Sequence, residues 1–121
     1  MLKVTLPYPP STNRIWRSFA SPNGGVRVVL TPEARRYKQE VFWRAKTAGA
    51  RITEAPVSVR IRLVPPGKRS IDVDNAVKVT LDALENVAYF NDKQVRRLFA
   101  EVAEPEKGKA RLEVEVTELR G

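Results

Sequence analysis

Neither cysteine nor histidine occurs in this chain of 121 residues, and the two absences remove several kinds of chemistry. Without cysteine there is no disulfide framework, no thiolate zinc site and no cysteine nucleophile. Without histidine there is no serine–histidine triad, and both the commonest general base and the commonest zinc ligand are missing. Any catalysis must therefore use carboxylates, lysines, hydroxyls or a metal ion held by oxygen atoms.

Long apolar runs are also missing, so no segment is expected to span a membrane. The N-terminal residues Met1–Pro7 lack the apolar stretch of a signal peptide, and we expect a cytoplasmic protein. With 42% hydrophobic residues, the chain should fold as one small domain over residues 1–121. A domain of this size can gain stability by self-association.

Positive charge is in excess, with 22 Lys and Arg against 14 Asp and Glu, a formal net charge of +8. A small domain this basic is expected to bind a polyanion, most often a nucleic acid. The alternative is a generally basic, solvated surface. Charge does not distinguish DNA from RNA.

Hydrophobic periodicity predicts an α+β domain. Strands are predicted at Leu2–Leu6, Val26–Leu30, Val57–Leu63, Val95–Val102 and Arg111–Leu119. Residues 7–25 read as irregular, so the first two strands are interpreted as a hairpin over a long loop. A helix should begin after Thr31 and end near Ala48, with a second from Ile71 to about Asn86. We expect a mixed or mostly antiparallel sheet with both helices packed on it.

The second predicted helix begins within an acidic segment. Asp72 and Asp74 flank its start, and Lys78 and Asp82 follow Asp74 at intervals of four, along one helix face. This face borders the predicted core stripe of Val77, Leu81, Leu84 and Ala88. Clustered carboxylates repel one another, and a hard cation such as Mg²⁺ or Mn²⁺ would neutralise them. The alternative is that Asp74 caps the helix and the others form surface ion pairs.

Other polar features could serve the same chemistry. Asp92 lies in a turn, where Asp is common for backbone reasons, and joins the acidic segment only if the fold returns it there. Arg14, Arg17, Lys68 and Arg69 are candidate phosphate contacts in loops. The first helix also has a basic face that could bind DNA or simply be solvated: Arg35, Arg36, Lys38, Arg44 and Lys46. An aromatic, proline-rich N-terminal loop could stack on or grip a nucleic-acid backbone, although its Trp16 is interpreted as packing on the core.

Three segments together resemble the RusA-type Holliday junction resolvases of phages and prophages. The segments are Leu6-Pro-Tyr-Pro-Pro-Ser-Thr-Asn-Arg-Ile-Trp-Arg17, Asp72-Val-Asp-Asn75 with Lys78 and Asp82-Ala-Leu84, and Asn91-Asp-Lys-Gln-Val95. Their order and spacing extend the resemblance over nearly the whole chain. Each motif is modest by itself, whereas the series of three is quite specific.

The resemblance implies a homodimer that makes paired, symmetric nicks in four-way DNA junctions with Mg²⁺, or Mn²⁺ as a substitute. It assigns the metal-binding aspartates to Asp72, Asp74 and Asp92 and an essential lysine to Lys78. Asn75 and Asp82 also match motif positions, with no assigned role. The leading hypothesis is therefore a junction resolvase of DNA recombination and repair. The alternatives are a non-catalytic basic nucleic-acid-binding protein and a less selective flap or fork nuclease.

Overall fold

The computed structural model describes residues 1–10, 16–20, 24–68 and 72–119, with the backbone alone at 16–20 and 26–29. Within these ranges the chain is an α+β domain, the class expected from its sequence. Six strands, two helices and one short 3₁₀ helix follow in the order β1 (Leu2–Pro7), β2 (Trp16–Ala20), β3 (Val26–Leu30), α1 (Pro32–Thr47), β4 (Val57–Val64), α2 (Val73–Leu84), the 3₁₀ helix (Asp92–Gln94), β5 (Val95–Val102) and β6 (Arg111–Glu118).

Four of the strands form a mixed sheet in the order β1-β6-β4-β5. Only the β4–β5 pair is parallel, and α2 lies in the connection between these two strands. The expected hairpin of β1 with β3 is wrong, because β1 pairs with β6 and β3 pairs with β2. The strand β2 also lies in the segment that was expected to be irregular. Alternation identifies a strand but does not name its partner, which here is more than a hundred residues away.

The core lies between one face of this sheet and the helices. Along β4, Val57, Val59, Ile61 and Leu63 are buried, while Arg60 and Arg62 are exposed on the opposite, outer face. Leu112, Val114 and Val116 of β6 are buried in the same core, as their alternation predicts. The outer face is held by ion pairs, among them Arg62–Glu113 at 2.9 Å and Lys3–Glu115 at 3.3 Å.

The helix α1 follows its sequence signals closely. The Thr31 hydroxyl accepts a hydrogen bond from the Ala34 N–H at 3.3 Å, and Pro32 is the first helical residue. Gly49, with a φ of 93°, supplies the left-handed residue just after the helix. Tyr37, Val41 and Ala45 of this helix are buried. None of the helices in the described ranges is long and apolar enough to cross a membrane.

The helix α2 presents a different face to the core from the one expected. Its buried residues are Ala76, Thr80, Ala83 and Leu84, whereas Val77 and Leu81 are only partly buried. Of the predicted stripe, therefore, Leu84 and the following Ala88 are buried as expected. Small side chains at the contact let the helix axis approach its neighbours closely. Val77 and Leu81 are thereby left to face β5, beside the acidic residues.

Candidate active site

All four aspartates of the chain lie between positions 72 and 92, in α2 and the segments beside it. Asp74 and Lys78 of α2 line a cleft of about 350 Å³ together with Asp92. Leu98 and Ala100 of β5 line the same cleft. The parallel connection β4–α2–β5 causes this meeting, since it returns the chain to the sheet directly beside the helix it has just left.

Asp72 has a different task in the structure. It is the N-cap of α2, and its Oδ1 accepts a hydrogen bond from the Asn75 N–H at 3.2 Å. The Asn75 side-chain amide donates to the other oxygen, Oδ2. The alternative that Asp74 caps the helix is wrong, because Asp74 lies in the first turn. Asp72 is not among the residues that line the cleft, so the structure brings Asp74 and Asp92 together without it.

A compact group of carboxylates lies at the end of α2. Asp82, Glu85 and Asp92, hereafter the acidic trio, each offer an oxygen within 4.8 Å of the others. Over the described ranges, this is the only set of three such side chains close enough to share a metal ion. Sequence reasoning missed Glu85. The signal was its spacing of three from Asp82, which brings two helical side chains to the same side.

The charges of the trio are only partly compensated. Partial burial and the nearby carboxylates of Asp92 and Asp82 raise the pKa of Glu85, while Lys38 and Lys78 oppose the shift. The Lys78 Nζ lies 3.4 Å from an Asp82 oxygen and forms an ion pair with that carboxylate. The remaining repulsion is what a bound cation would remove. Three carboxylates and no nitrogen or sulfur ligand form a donor set that fits Mg²⁺ or Mn²⁺.

A second depression adjoins the trio on the side of α1. It has a volume of about 640 Å³ and is lined by Lys38, Phe42 and Trp43 together with Asp82 and Glu85. Trp43 is 67% exposed, which is unusual for so large an apolar side chain. Asp82 and Glu85 of the acidic trio therefore line this groove, whereas Asp92 lines the cleft.

The predicted phosphate contacts are mostly beyond what the structure describes. Arg14 and Arg69 lie outside the described residues, and for Arg17 and Trp16 only the backbone, in β2, is described. Lys68 is exposed in the loop that precedes α2. The assignment of these residues to DNA binding stays a prediction.

Comparison with known proteins gives consistent matches along the chain. A family model described as Endodeoxyribonuclease RusA matches residues 7–117. The crossover junction endodeoxyribonucleases RusA of Shigella sonnei (strain Ss046) and Escherichia coli (strain K12) are each 34% identical to this chain over 117 residues. These alignments cover 96% of this chain and 93% of each relative. The protein of the same name from Enterobacteria phage 82 is 33% identical over the same shares.

Proposed function

The chain belongs to the RusA family of endodeoxyribonucleases, and from this premise we propose that it resolves four-way (Holliday) DNA junctions by hydrolysing phosphodiester bonds. The observation that carries the proposal is the family match over residues 7–117, with relatives covered almost from end to end. The cleft adds the chemistry, because Asp74, Lys78 and Asp92 meet there from two separate segments. Two carboxylates and a lysine can support metal-dependent hydrolysis without histidine or cysteine.

We assign metal binding to Asp72, Asp74 and Asp92, with Asp82 and Glu85 close enough to Asp92 to contribute. Asp72 can cap α2 and still offer lone pairs, since a carboxylate has about four acceptor positions. When bound, Mg²⁺ or Mn²⁺ supplies a Lewis acid that polarises the scissile phosphate and lowers the pKa of water. Lys78 neutralises Asp82 and is free on its exposed side to stabilise charge that develops on the phosphate.

The substrate also suggests the state of assembly. A four-way junction has pseudo-twofold symmetry, and a twofold homodimer would present one cleft to each of two opposed strands. Two copies at +8 each would offer a broad basic surface to the DNA arms in the cytoplasm. The homodimer stays a proposal and is measured by sedimentation equilibrium, with and without junction.

The decisive experiment compares a labelled synthetic four-way junction with a linear duplex of the same sequence, in Mg²⁺ and in EDTA. Paired nicks in the junction alone, dependent on the metal, are the expected result. Equal cutting of three-way and forked DNA would make the protein a less selective branch nuclease. Tight junction binding with no nick in Mg²⁺ or Mn²⁺ would contradict the proposal and indicate a non-catalytic DNA-binding protein.

Asp74→Asn is expected to abolish cleavage while it preserves the fold and the junction affinity. The substitution keeps the shape of the side chain but removes a negative oxygen from the cleft, and the loss should exceed about 100-fold. Glu104→Gln is the matched control, because it removes one charge from an exposed residue of the loop after β5. Loss of junction binding together with cleavage would show that Asp74 has a structural role instead.

A further inference from the structure

Gln94 lies at the end of the 3₁₀ helix, and its side-chain amide makes four hydrogen bonds. The Oε1 atom accepts hydrogen bonds from the Phe90 N–H at 2.8 Å and the Asn91 N–H at 3.0 Å. The Nε2 atom donates to the carbonyls of Thr53 at 2.8 Å and Ala55 at 2.9 Å. A side-chain amide has two donor hydrogens and two acceptor lone pairs, so all four positions are filled.

These bonds join two segments that are distant in the sequence. Residues Asn91–Gln94, hereafter the Asp92 turn, are bound to residues 39 and 41 positions away, just before β4. The other hydrogen bonds described for this turn are local, such as Lys93 N–H to the Asn91 side chain at 2.8 Å. In the described part of the chain, Gln94 therefore supplies the turn's only side-chain hydrogen bonds to another segment.

The turn needs such an anchor because of what it carries. Asp92 lies within reach of two other carboxylates, Asp82 and Glu85, and like charges at this range repel. The neighbouring Phe90 is 50% exposed, so on that side the packing support begins only one residue further away, at the fully buried Tyr89. Without the anchor, repulsion would favour movement of Asp92 away from α2, and the cleft would lose one of its carboxylates.

We propose that Gln94 is a positioning residue, whose amide fixes the Asp92 turn to the segment before β4 and so holds the Asp92 carboxylate against α2. Gln94 touches neither metal nor DNA in this role, and acts only through Asp92. The inference rests on the proposed function, because it takes Asp92 as a metal ligand. It assigns a task to a motif residue that the chemistry of the cleft does not use directly.

The test is a double-mutant cycle on Mn²⁺ affinity, measured from the electron paramagnetic resonance signal of the free ion. The four proteins are the wild type, Gln94→Met, Asp92→Ala and the double variant. Methionine has a similar volume but makes none of the four hydrogen bonds. We expect Gln94→Met to weaken Mn²⁺ binding by about 10-fold when Asp92 is present. In the Asp92→Ala background it should have no further effect, since the group that it positions is gone.

Two further variants sharpen the test. Gln39→Met alters the only other glutamine of the chain, an exposed residue of α1 that lines the groove beside Asp82 and Glu85 but makes none of the turn's hydrogen bonds. This variant should bind Mn²⁺ as the wild type does. Gln94→Glu keeps the accepting oxygen but turns a carboxylate oxygen toward the Thr53 and Ala55 carbonyls. It should weaken Mn²⁺ binding although it adds a negative charge. Junction affinity in EDTA should be the same for the wild type, Gln94→Met and Gln39→Met, which carry equal charge.

The outcomes separate the positioning role from the function beneath it. Wild-type Mn²⁺ affinity in both Gln94 variants, or an equal loss with and without Asp92, would overturn the positioning role. If Gln94→Met melts below the assay temperature, the cycle is run with Gln94→Glu. Failure of both to fold would also overturn the proposal, since Gln94 would then support the whole domain. Undiminished junction cleavage by Asp92→Ala would instead refute the metal assignment.

Discussion

Lys78 forms an ion pair with Asp82 and is also proposed to stabilise charge on the phosphate. A substitution distinguishes these two roles. The ion pair with Asp82 joins a lysine side chain that is 62% exposed to a carboxylate one turn away. Such a pair stabilises a helix by about 0.3–0.5 kcal/mol, so Lys78→Met should lower the melting temperature by only about 1–3 °C. Cleavage should fall by about 100-fold or more if Lys78 stabilises charge on the phosphate.

The measurement is junction cleavage under single-turnover conditions beside a thermal melt. Lys3→Met is the control, since Lys3 also forms a surface ion pair, with Glu115 at 3.3 Å, but lies on the outer sheet face away from the cleft. If Lys78→Met loses no more cleavage than the control does, Lys78 has no role in catalysis and forms only a surface ion pair.

Individual site residues were only partly predictable. The spacing of Asp74, Lys78 and Asp82 identified a helix face, and the structure confirms the Lys78–Asp82 contact. The cap could not be assigned, because aspartates two residues apart suit the same helix start equally well by local criteria. Glu85 follows Leu84 at the helix end, where an acidic residue looks like an ordinary solvated side chain. Its importance depends on Asp92, which only the tertiary fold brings within 4.8 Å.

At the scale of the element, Tyr89 closes the end of α2. Its hydroxyl donates to the Leu81 carbonyl at 2.6 Å, while the Glu85 N–H turns to the Asp82 carbonyl at 3.3 Å. Tyr89 is fully buried, and burial raises the pKa of its hydroxyl, so that it stays protonated and can donate. The carbonyl at the end of the helix is thereby satisfied by a side chain.

Tyr89→Phe is expected to destabilise the protein by about 1 kcal/mol, which lowers the melting temperature by roughly 3–6 °C. Fraying of the helix end should also displace Asp82 and Glu85, so cleavage should require more Mg²⁺. Tyr37→Phe is the matched control, because that buried hydroxyl donates to the Pro7 carbonyl at 2.7 Å, away from the cleft. It should lower the melting temperature similarly and leave the Mg²⁺ requirement unchanged. An equal rise in the Mg²⁺ requirement of both variants would show that Tyr89 does not act through Asp82 and Glu85.

Elements with strong local signals were predicted well. The bounds of β5 agree residue for residue, and α1 ends where its glycine indicates. The pairing of β1 with β6 was missed, because hydrogen-bonded partners are chosen by the global fold and leave little trace in either strand. The core face of α2 was missed for a different reason. The prediction placed the large apolar residues in the core, whereas the helix packs through the small residues Ala76, Thr80 and Ala83.

At the scale of the whole molecule, the charge of +8 predicts a steep dependence of junction binding on salt. Each phosphate contact contributes about −0.9 to the slope of log K against log salt concentration. Lys68→Ala should reduce the magnitude of this slope by about one, if Lys68 contacts a phosphate. Lys3→Ala is the control, since Lys3 is paired with Glu115 on the outer sheet face. The measurement is a series of fluorescence anisotropy titrations in EDTA at several salt concentrations. A wild-type slope of log K against log salt concentration in both variants would contradict the prediction.

The parallel pairing of β4 with β5 also bears on when the folding chain acquires its complete cleft. Asp92 directly precedes β5, whereas Asp74 and Asp82 belong to α2 in the connection before it. Leu98 and Ala100 of β5 complete the cleft only after this connection has closed, and non-local parallel pairings form slowly. On its other side β4 pairs with β6, near the end of the described chain. We therefore expect a chain that has not yet paired β4 with β5 to lack the complete cleft, and with it the ability to hydrolyse DNA.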